Sequence, residues 1–302
     1  KKGLIQRISR SEGLQNNYVN CVFVDREKNI WAGVNNGISF IPYNSPIKYI
    51  QPNASSELTG YSPRIFNGKL YIGTSNGIYA IPLSRSGSDI SFDKRELQFV
   101  KNSGGAETWR LDEVNQQLLA SQTAGSSVIR GNECFPITSN PGSWFSIPLT
   151  SVYPAQNILV GTFTGLRILH FEQNQFTNAG MSDGPQDSYR YVVIDNNGDI
   201  WASHPYRGVY RLRFSSDLKH YTAQLFTSKD GLPSTLRNHV FKIKNTIVFA
   251  TEKGVYEFDG SKNKFVHSPF FWPVFDTLEM RYLNEDAKGN IWFCSGKKIG
   301  VV

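Results

Sequence analysis

Short apolar runs that end at a glycine recur along the chain. Residues 13–41, GLQNNYVNCVFVDREKNIWAGVNNGISFI, set the frame with Asp25, then Asn29-Ile30-Trp31, then Asn36-Gly37-Ile38. The frame returns as Asp195, Asp199-Ile200-Trp201 and Gly208-Val209, and again as Asp286, Asn290-Ile291-Trp292 and Lys298-Ile299. Weaker copies begin at Leu70, Leu118, Ile158 and Ile247, each reaching its glycine seven residues on. The unit at Ile200 takes eight, through an inserted residue near Tyr206, and the last unit has Lys298 in the glycine position. Seven copies at this spacing are the mark of a β-propeller, one copy per blade.

Within the template unit, residues 18–25 alternate and read as a first strand, 30–34 as a second and 38–42 as a third. Glycine-bearing loops such as Asn196-Asn197-Gly198-Asp199 join the first two, and Asn35-Asn36-Gly37 is the tight turn into the third. A more variable fourth strand completes an antiparallel blade. The chain is therefore expected to be all-β, a single domain over residues 1–302 and a seven-bladed β-propeller. Residues 1–9 precede the first unit where a fourth strand would lie, so they are expected to complete the last blade and close the ring.

Composition narrows the class. Hydrophobic residues make up 39% and charged residues 19% of 302, a globular balance. No apolar run reaches the roughly 18 residues of a membrane helix. Lys1-Lys2-Gly3 runs straight into repeat material, with no signal peptide, and reads as a piece of something longer. The three cysteines, Cys21, Cys134 and Cys294, form no CxxC pair and read as buried free thiols. The five histidines show no metal-ligand spacing, and no cofactor or metal is expected. A GxSxG string, Gly73 to Gly77, occupies the turn position of the repeat, so it is not a nucleophile elbow. The net charge of +7 comes from basic residues scattered over many loops, which argues against nucleic acid.

The pattern Gly13-Leu14, Asp25, Asn29-Ile30-Trp31, Asn36-Gly37-Ile38 resembles the two-component-regulator propeller repeat. The resemblance is good over 187–214, 230–256 and 285–302, and poor over 106–131. It implies the periplasmic sensor region of a hybrid two-component histidine kinase of gut bacteria, recognising a polysaccharide-derived oligosaccharide. It also implies a neighbouring propeller, a β-sandwich and a homodimeric parent, with no catalytic module in this chain. Two other readings stand beside it: a structural or dimerisation propeller with no ligand of its own, and a propeller lyase acting on uronic-acid oligosaccharides.

Strand order places the second-to-third turns and the links between units on one face, the face propellers commonly use for ligands. Counting back from the Asp that ends the first strand, Asn20, Arg190 and Arg281 are equivalent. The expected ligand-binding set on this face is Arg64, Trp109, Arg110, Tyr189, Arg190, His204, Arg207, Arg237, His239 and Arg281. Arginine forks engage a carboxylate or sulfate in two places, and aromatic faces stack on sugar rings, a combination suited to an anionic oligosaccharide. Carboxylates from neighbouring loops would cancel it by pairing with those arginines. Trp31, Trp201 and Trp292 repeat with the fold and are expected to pack between blades.

Overall fold

The computed structural model describes residues 7–10, 13–43, 58–83, 97–149, 153–154 and 156–302. Its strands form seven antiparallel sheets in chain order. The first takes Val19–Val24, Ile30–Val34 and Gly37–Ile41; the second Gly60–Phe66, Lys69–Thr74, Gly77–Pro82 and Gln98–Phe99. The third takes Thr108–Val114, Gln117–Gln122, Gly125–Arg130 and Glu133–Pro136; the fourth Ser143–Pro148, Asn157–Thr162, Gly165–Glu172 and Gln175–Met181. The fifth takes Tyr191–Ile194, Ile200–His204, Gly208–Phe214 and Tyr221–Phe226; the sixth His239–Ile243, Thr246–Thr251, Gly254–Asp259 and Lys264–His267. The seventh takes Tyr282–Glu285, Ile291–Ser295 and Lys298–Val301. Strands pair in order of sequence, and the only α-helix among the described residues is Trp272–Phe275, inside the apolar link before the seventh sheet. The poorly patterned third unit thus builds a full four-stranded sheet. The expected closing strand falls mostly on residues 1–6, which lie outside the described residues; residues 7–9 carry no strand.

Five buried clusters join the sheets pairwise from the second to the seventh. Tyr71, Ile78, Leu111 and Leu118 join the second to the third, and Val114, Leu119, Ile158 and Val160 the third to the fourth. Phe145, Leu159, Tyr189 and Leu212 follow between the fourth and fifth. Trp201, Phe226, Phe249 and Phe265 lie between the fifth and sixth, and Ile243, Val248, Phe275 and Ile291 between the sixth and seventh. No residue of the first sheet belongs to any of these clusters.

The repeated tryptophans follow that division. Trp201 is 4% exposed, ringed by Phe226, Phe249, Phe258 and Phe265. Trp31 and Trp292, in the end sheets, are 39% and 43% exposed. Each instead donates its indole N–H across its hairpin, to Asp25 and Asp286, at 3.0 Å. Cys21 lies in a strand as expected but is exposed, a correction with the same cause: every residue of the first strand of the first sheet is exposed. Cys134 is buried, Cys294 half-buried, and all three are free.

The glycine of each unit has a backbone reason. Gly37, Gly77, Gly125, Gly165, Gly208 and Gly254 all have φ between 91° and 139°, a region open to glycine. At Gly208 a Cβ would also fall 2.2 Å from the Phe226 carbonyl oxygen of the adjacent strand. In the last unit the positive φ moves to Gly296, which frees position 298 for lysine. Gly208→Ala should therefore cost about 2–4 kcal/mol, strain plus clash. Gly289→Ala, with φ of 83° but open space, should cost only the conformational part, about 1–2 kcal/mol. Urea denaturation of both variants checks this; equal losses would show that the carbonyl contact carries no weight.

Candidate functional site

The register fixes which residues reach the turn face. Cys21, Ser62, Arg110, Phe145, Tyr191, His239 and Tyr282 pair with equivalent second-strand positions. The residue before each of them marks one rim position per sheet: Asn20, Tyr61, Trp109, Trp144, Arg190, Asn238 and Arg281. The equivalence of Asn20, Arg190 and Arg281 read from sequence is the same one, and the structure adds the other four.

A cavity of about 370 Å³ opens where the fifth, sixth and seventh sheets meet, lined by Arg190, Tyr191, His204, Tyr206, Arg237, His239 and Arg281 among others. It brings together five of the ten expected site residues. Arg64, Trp109 and Arg110 instead line a larger cavity of about 910 Å³, walled by the first strands of the second, third, fifth, sixth and seventh sheets. Arg207 and Tyr189 line neither.

Tyr189 is a correction. It sits one residue inward of the rim, where Thr108 and Ser143 are also buried in their sheets, and it is wholly enclosed by Tyr210 and Tyr221. Burial drives its phenol far above the ordinary range, so it is a core residue with its hydroxyl on the Pro185 carbonyl. Arg207 is a second correction: its guanidinium pairs with Asp187 at 3.0 Å.

His204 occupies the position that Thr74, Thr162 and Thr251 hold elsewhere. Those hydroxyls accept a turn N–H and donate to the glycine carbonyl, closing a two-residue turn. The fifth sheet's turn is one residue longer, and a hydroxyl is replaced by the longer imidazole. His204 Nδ1 accepts from the N–H of Tyr206 at 3.0 Å and of Arg207 at 3.1 Å. Its Nε2 lies 3.0 Å from Asp187, which fixes the Nε2–H tautomer. Asp187 also accepts from Tyr210 at 2.6 Å. Burial raises that carboxyl, but the Tyr210 and Ser188 hydrogen bonds and the nearby positive charges outweigh it, leaving it below its ordinary value.

The remaining cations form a cup. Glu279 takes Arg281 at 3.0 Å and Arg237 at 3.6 Å. Arg110 pairs with Asp112 at 2.7 Å, and Arg64 donates to the Leu111 carbonyl. Acid pairing thus claims four of the predicted arginines. Arg190 differs: among the described residues it has no acidic partner, and its guanidinium lies over Trp144 at 5.0 Å and Trp109 at 5.8 Å. His239 stacks on Tyr191 at 4.4 Å and donates from Nδ1 to the Arg281 carbonyl at 2.8 Å, which leaves Nε2 an acceptor. Burial, then the three nearby arginines, hold it neutral despite that carbonyl. The cup offers guanidinium donors, one imidazole acceptor and aromatic walls. Glu279, Tyr191, Tyr61 and Trp144 were missing from the expected set; counting from the paired second strand would have found the last two. Among the described residues no group of three or more His, Cys, Asp or Glu side chains is placed to hold a metal.

This is a β-propeller fold with a cationic, aromatic-walled cup on its turn face. The family model described as two-component regulator propeller matches residues 13–36, within the opening unit. Among solved structures, the extracellular domain of the hybrid two-component system BT3049 from B. thetaiotaomicron matches with a TM-score of 0.66 at 20% identity, over 95% of this chain and 39% of that one. That of BT4673 from the same organism matches at 0.63 and 15%, over 96% and 41%. Virginiamycin B lyase from Staphylococcus aureus matches at 0.54 and 14%, over 93% and 92%. The chain thus spans about two fifths of the two-component structures. No match was found among curated proteins.

His204 gives a pH prediction. Burial is the largest influence and lowers its pKa from 6.5; Asp187 opposes this and Arg207 adds to it. As pH falls below 6.5 the unfolded chain takes the proton first, so stability is full above that point and is lost down to the folded pKa. Protonation also sets an N–H against the two turn N–H groups. His204→Thr should flatten the fall in Tm below that pH, with His239 supplying the remainder. An unchanged slope would remove His204 from the effect.

Proposed function

We propose that the chain is the ligand-sensing propeller of a two-component signalling protein, placed outside the cytoplasmic membrane, and that its cup takes an anionic oligosaccharide. Arg190 carries the ligand reading. A guanidinium held over two indoles, with no acidic partner among the described residues, is pre-set to bind one. The two-component repeat at residues 13–36 and the likeness to extracellular domains of such systems support the signalling role. Among the described residues no helix is long and apolar enough to cross a membrane. The kinase, second propeller, β-sandwich and homodimer are part of this proposal about the parent. A ligand signals only by favouring one arrangement of that parent over another.

The same reading includes a closed, seven-bladed ring. Val209 is fully buried in the fifth sheet, whereas the equivalent Ile38 and Ile299 are 69% and 71% exposed in the first and last sheets. In the inner sheets this position packs on the next sheet, so in a closed ring Ile38 packs on the second sheet and Ile299 on the first. Ile38→Asp and Ile299→Asp should each destabilise by about 2 kcal/mol or more, since a packed face would gain an unpaired charge. A Tyr206→Asp control at an exposed turn should not. Neutral behaviour of both isoleucine variants in thermal melts would mean the faces do not pack.

Binding is tested by calorimetry with acidic and neutral trisaccharides at low and moderate salt. Arg190→Ala and Arg281→Ala should each weaken an acidic trisaccharide at least about tenfold, the weight of one charged hydrogen bond. Salt should weaken it further, since the cup is partly open. No binding by any saccharide would leave a structural propeller. That outcome would turn attention to the exposed Phe270, Trp272, Val274 and Leu278 of the link before the seventh sheet as a contact surface. Shortening of the sugar during the assay would favour a lyase, although the burial of Tyr189 removes one acid–base group that reading relied on.

A further inference from the structure

In the first four sheets the pairing of first and second strands slips at one and the same place. The slips fall between Val19 and Cys21, Gly60 and Ser62, Thr108 and Arg110, and Ser143 and Phe145. The skipped residues are Asn20, Tyr61, Trp109 and Trp144. A bulge turns its extra residue out of the pleat and re-aims the side chain. Here it sends aromatic rings from three successive sheets to the rim. The rings touch in series, Tyr61 to Trp109 at 4.8 Å and Trp109 to Trp144 at 5.1 Å. Phe163, from the fourth sheet's turn, backs Trp144 at 4.4 Å. The series ends under Arg190, which holds the same rim position in the fifth sheet.

We infer that the Tyr61–Trp109–Trp144 arc is a second subsite, continuous with the arginine cup through Arg190, for an uncharged ring joined to the acidic group that the cup holds. This rests on the anionic-ligand reading of the cup and adds the ligand's other half. Three observations carry it. The residues just inward of the bulges, Thr108 and Ser143, are fully buried, whereas Tyr61 is 37% exposed and both indoles are half-buried. The arc is therefore not what fills the core. Trp144 donates its N–H to Ser188 and the Trp109 N–H is buried, so what the arc offers from outside is ring surface and not indole donors. A pyranose supplies C–H groups for such aromatic faces. Finally, the free positive charge is on one side: Arg190, Arg237 and Arg281 gather at the cup, whereas the arc's Arg110 is paired with Asp112, its Arg64 donates to the Leu111 carbonyl, and Glu107 lies 3.4 Å from the Tyr61 hydroxyl. A ligand with an acid at one end and neutral rings at the other fits in one direction only. The selected class is an acidic di- or trisaccharide, in preference to an acidic monosaccharide or a polyanion charged on every ring.

The test compares galacturonate with trisaccharides carrying a single uronate, using the whole chain. Tyr61→Ala and Trp109→Phe should weaken the trisaccharide about fivefold to tenfold and leave galacturonate unchanged. Arg281→Ala should weaken both. Thermal melts confirm that the variants fold, and Tyr61→Ala, at an exposed position, guards against a failure of Trp109→Phe. Equal affinity of all lengths for the wild-type chain, or an unchanged trisaccharide in Tyr61→Ala, overturns the subsite. If no acidic saccharide binds but a neutral trisaccharide shifts the tryptophan fluorescence in a Tyr61-dependent way, the arc stands and the cup's anionic reading falls. If neither binds, both fall.

Discussion

A β-sheet in this chain has two apolar faces, and another sheet is what covers them. Everything else follows from that requirement. From the second sheet to the seventh, each neighbouring pair shares one buried cluster, and the residues that fill it come from the same positions of successive units. The burial of apolar area scales with the number of such interfaces, so a single unit has no stable existence. One repeat position reads as core in Trp201 and as surface in Trp31 and Trp292 because the first has sheets on both sides. Neighbour packing, and not the tryptophan itself, decides its burial.

Stacked sheets bring one backbone feature of each unit to a common rim. The glycine turn and the bulge are both repeated, but only the bulge residue is free to change with little effect on the core. The rim positions accordingly run through asparagine, tyrosine, tryptophan and arginine, while the residue beneath is buried in the third, fourth, fifth and seventh sheets. The fifth sheet departs furthest from the pattern. Its turn is one residue longer, a histidine does the work of a threonine, and Asp187 ties that histidine to the preceding link. A break in a repeat that the fold does not require marks the place where something other than folding was selected.

Much of the architecture was legible because period and turn chemistry are local. The apolar run, the glycine and the loop before it gave the sheets, including the degenerate unit at Leu118, whose Gly125 has φ of 123°. The GxSxG string is a hairpin turn, as its repeat position implied. The site was legible only in part. Arg190, His204, Arg237, His239 and Arg281 meet at one cavity because the strand starts and turns of three neighbouring sheets lie on one face. Tyr189 misled, since moving one residue along a strand exchanges rim for core. Tyr61 and Trp144 escaped the count because their units have Phe66 and Leu149 where the count starts from an Asp. Ion pairs were the least legible, as Glu279 and Asp187 act across loops that no local pattern links.

Those ion pairs bear on what the cup is for. Exposed pairs are individually worth little, so the bridges of Glu279 to Arg237 and Arg281 do not explain the cluster by stability alone. At Arg207 the chain provides a carboxylate, a tyrosine and a histidine on one buried network, and the charge there is matched. At the cup three guanidinium groups face one carboxylate, and both histidines beside them are held neutral by burial. An excess of two positive charges therefore remains, on a chain whose net charge is already +7. A purely structural rim would be better served by one more acid or by fewer arginines. Arg190, stacked on tryptophan in place of a carboxylate, keeps its donors for something that arrives from outside.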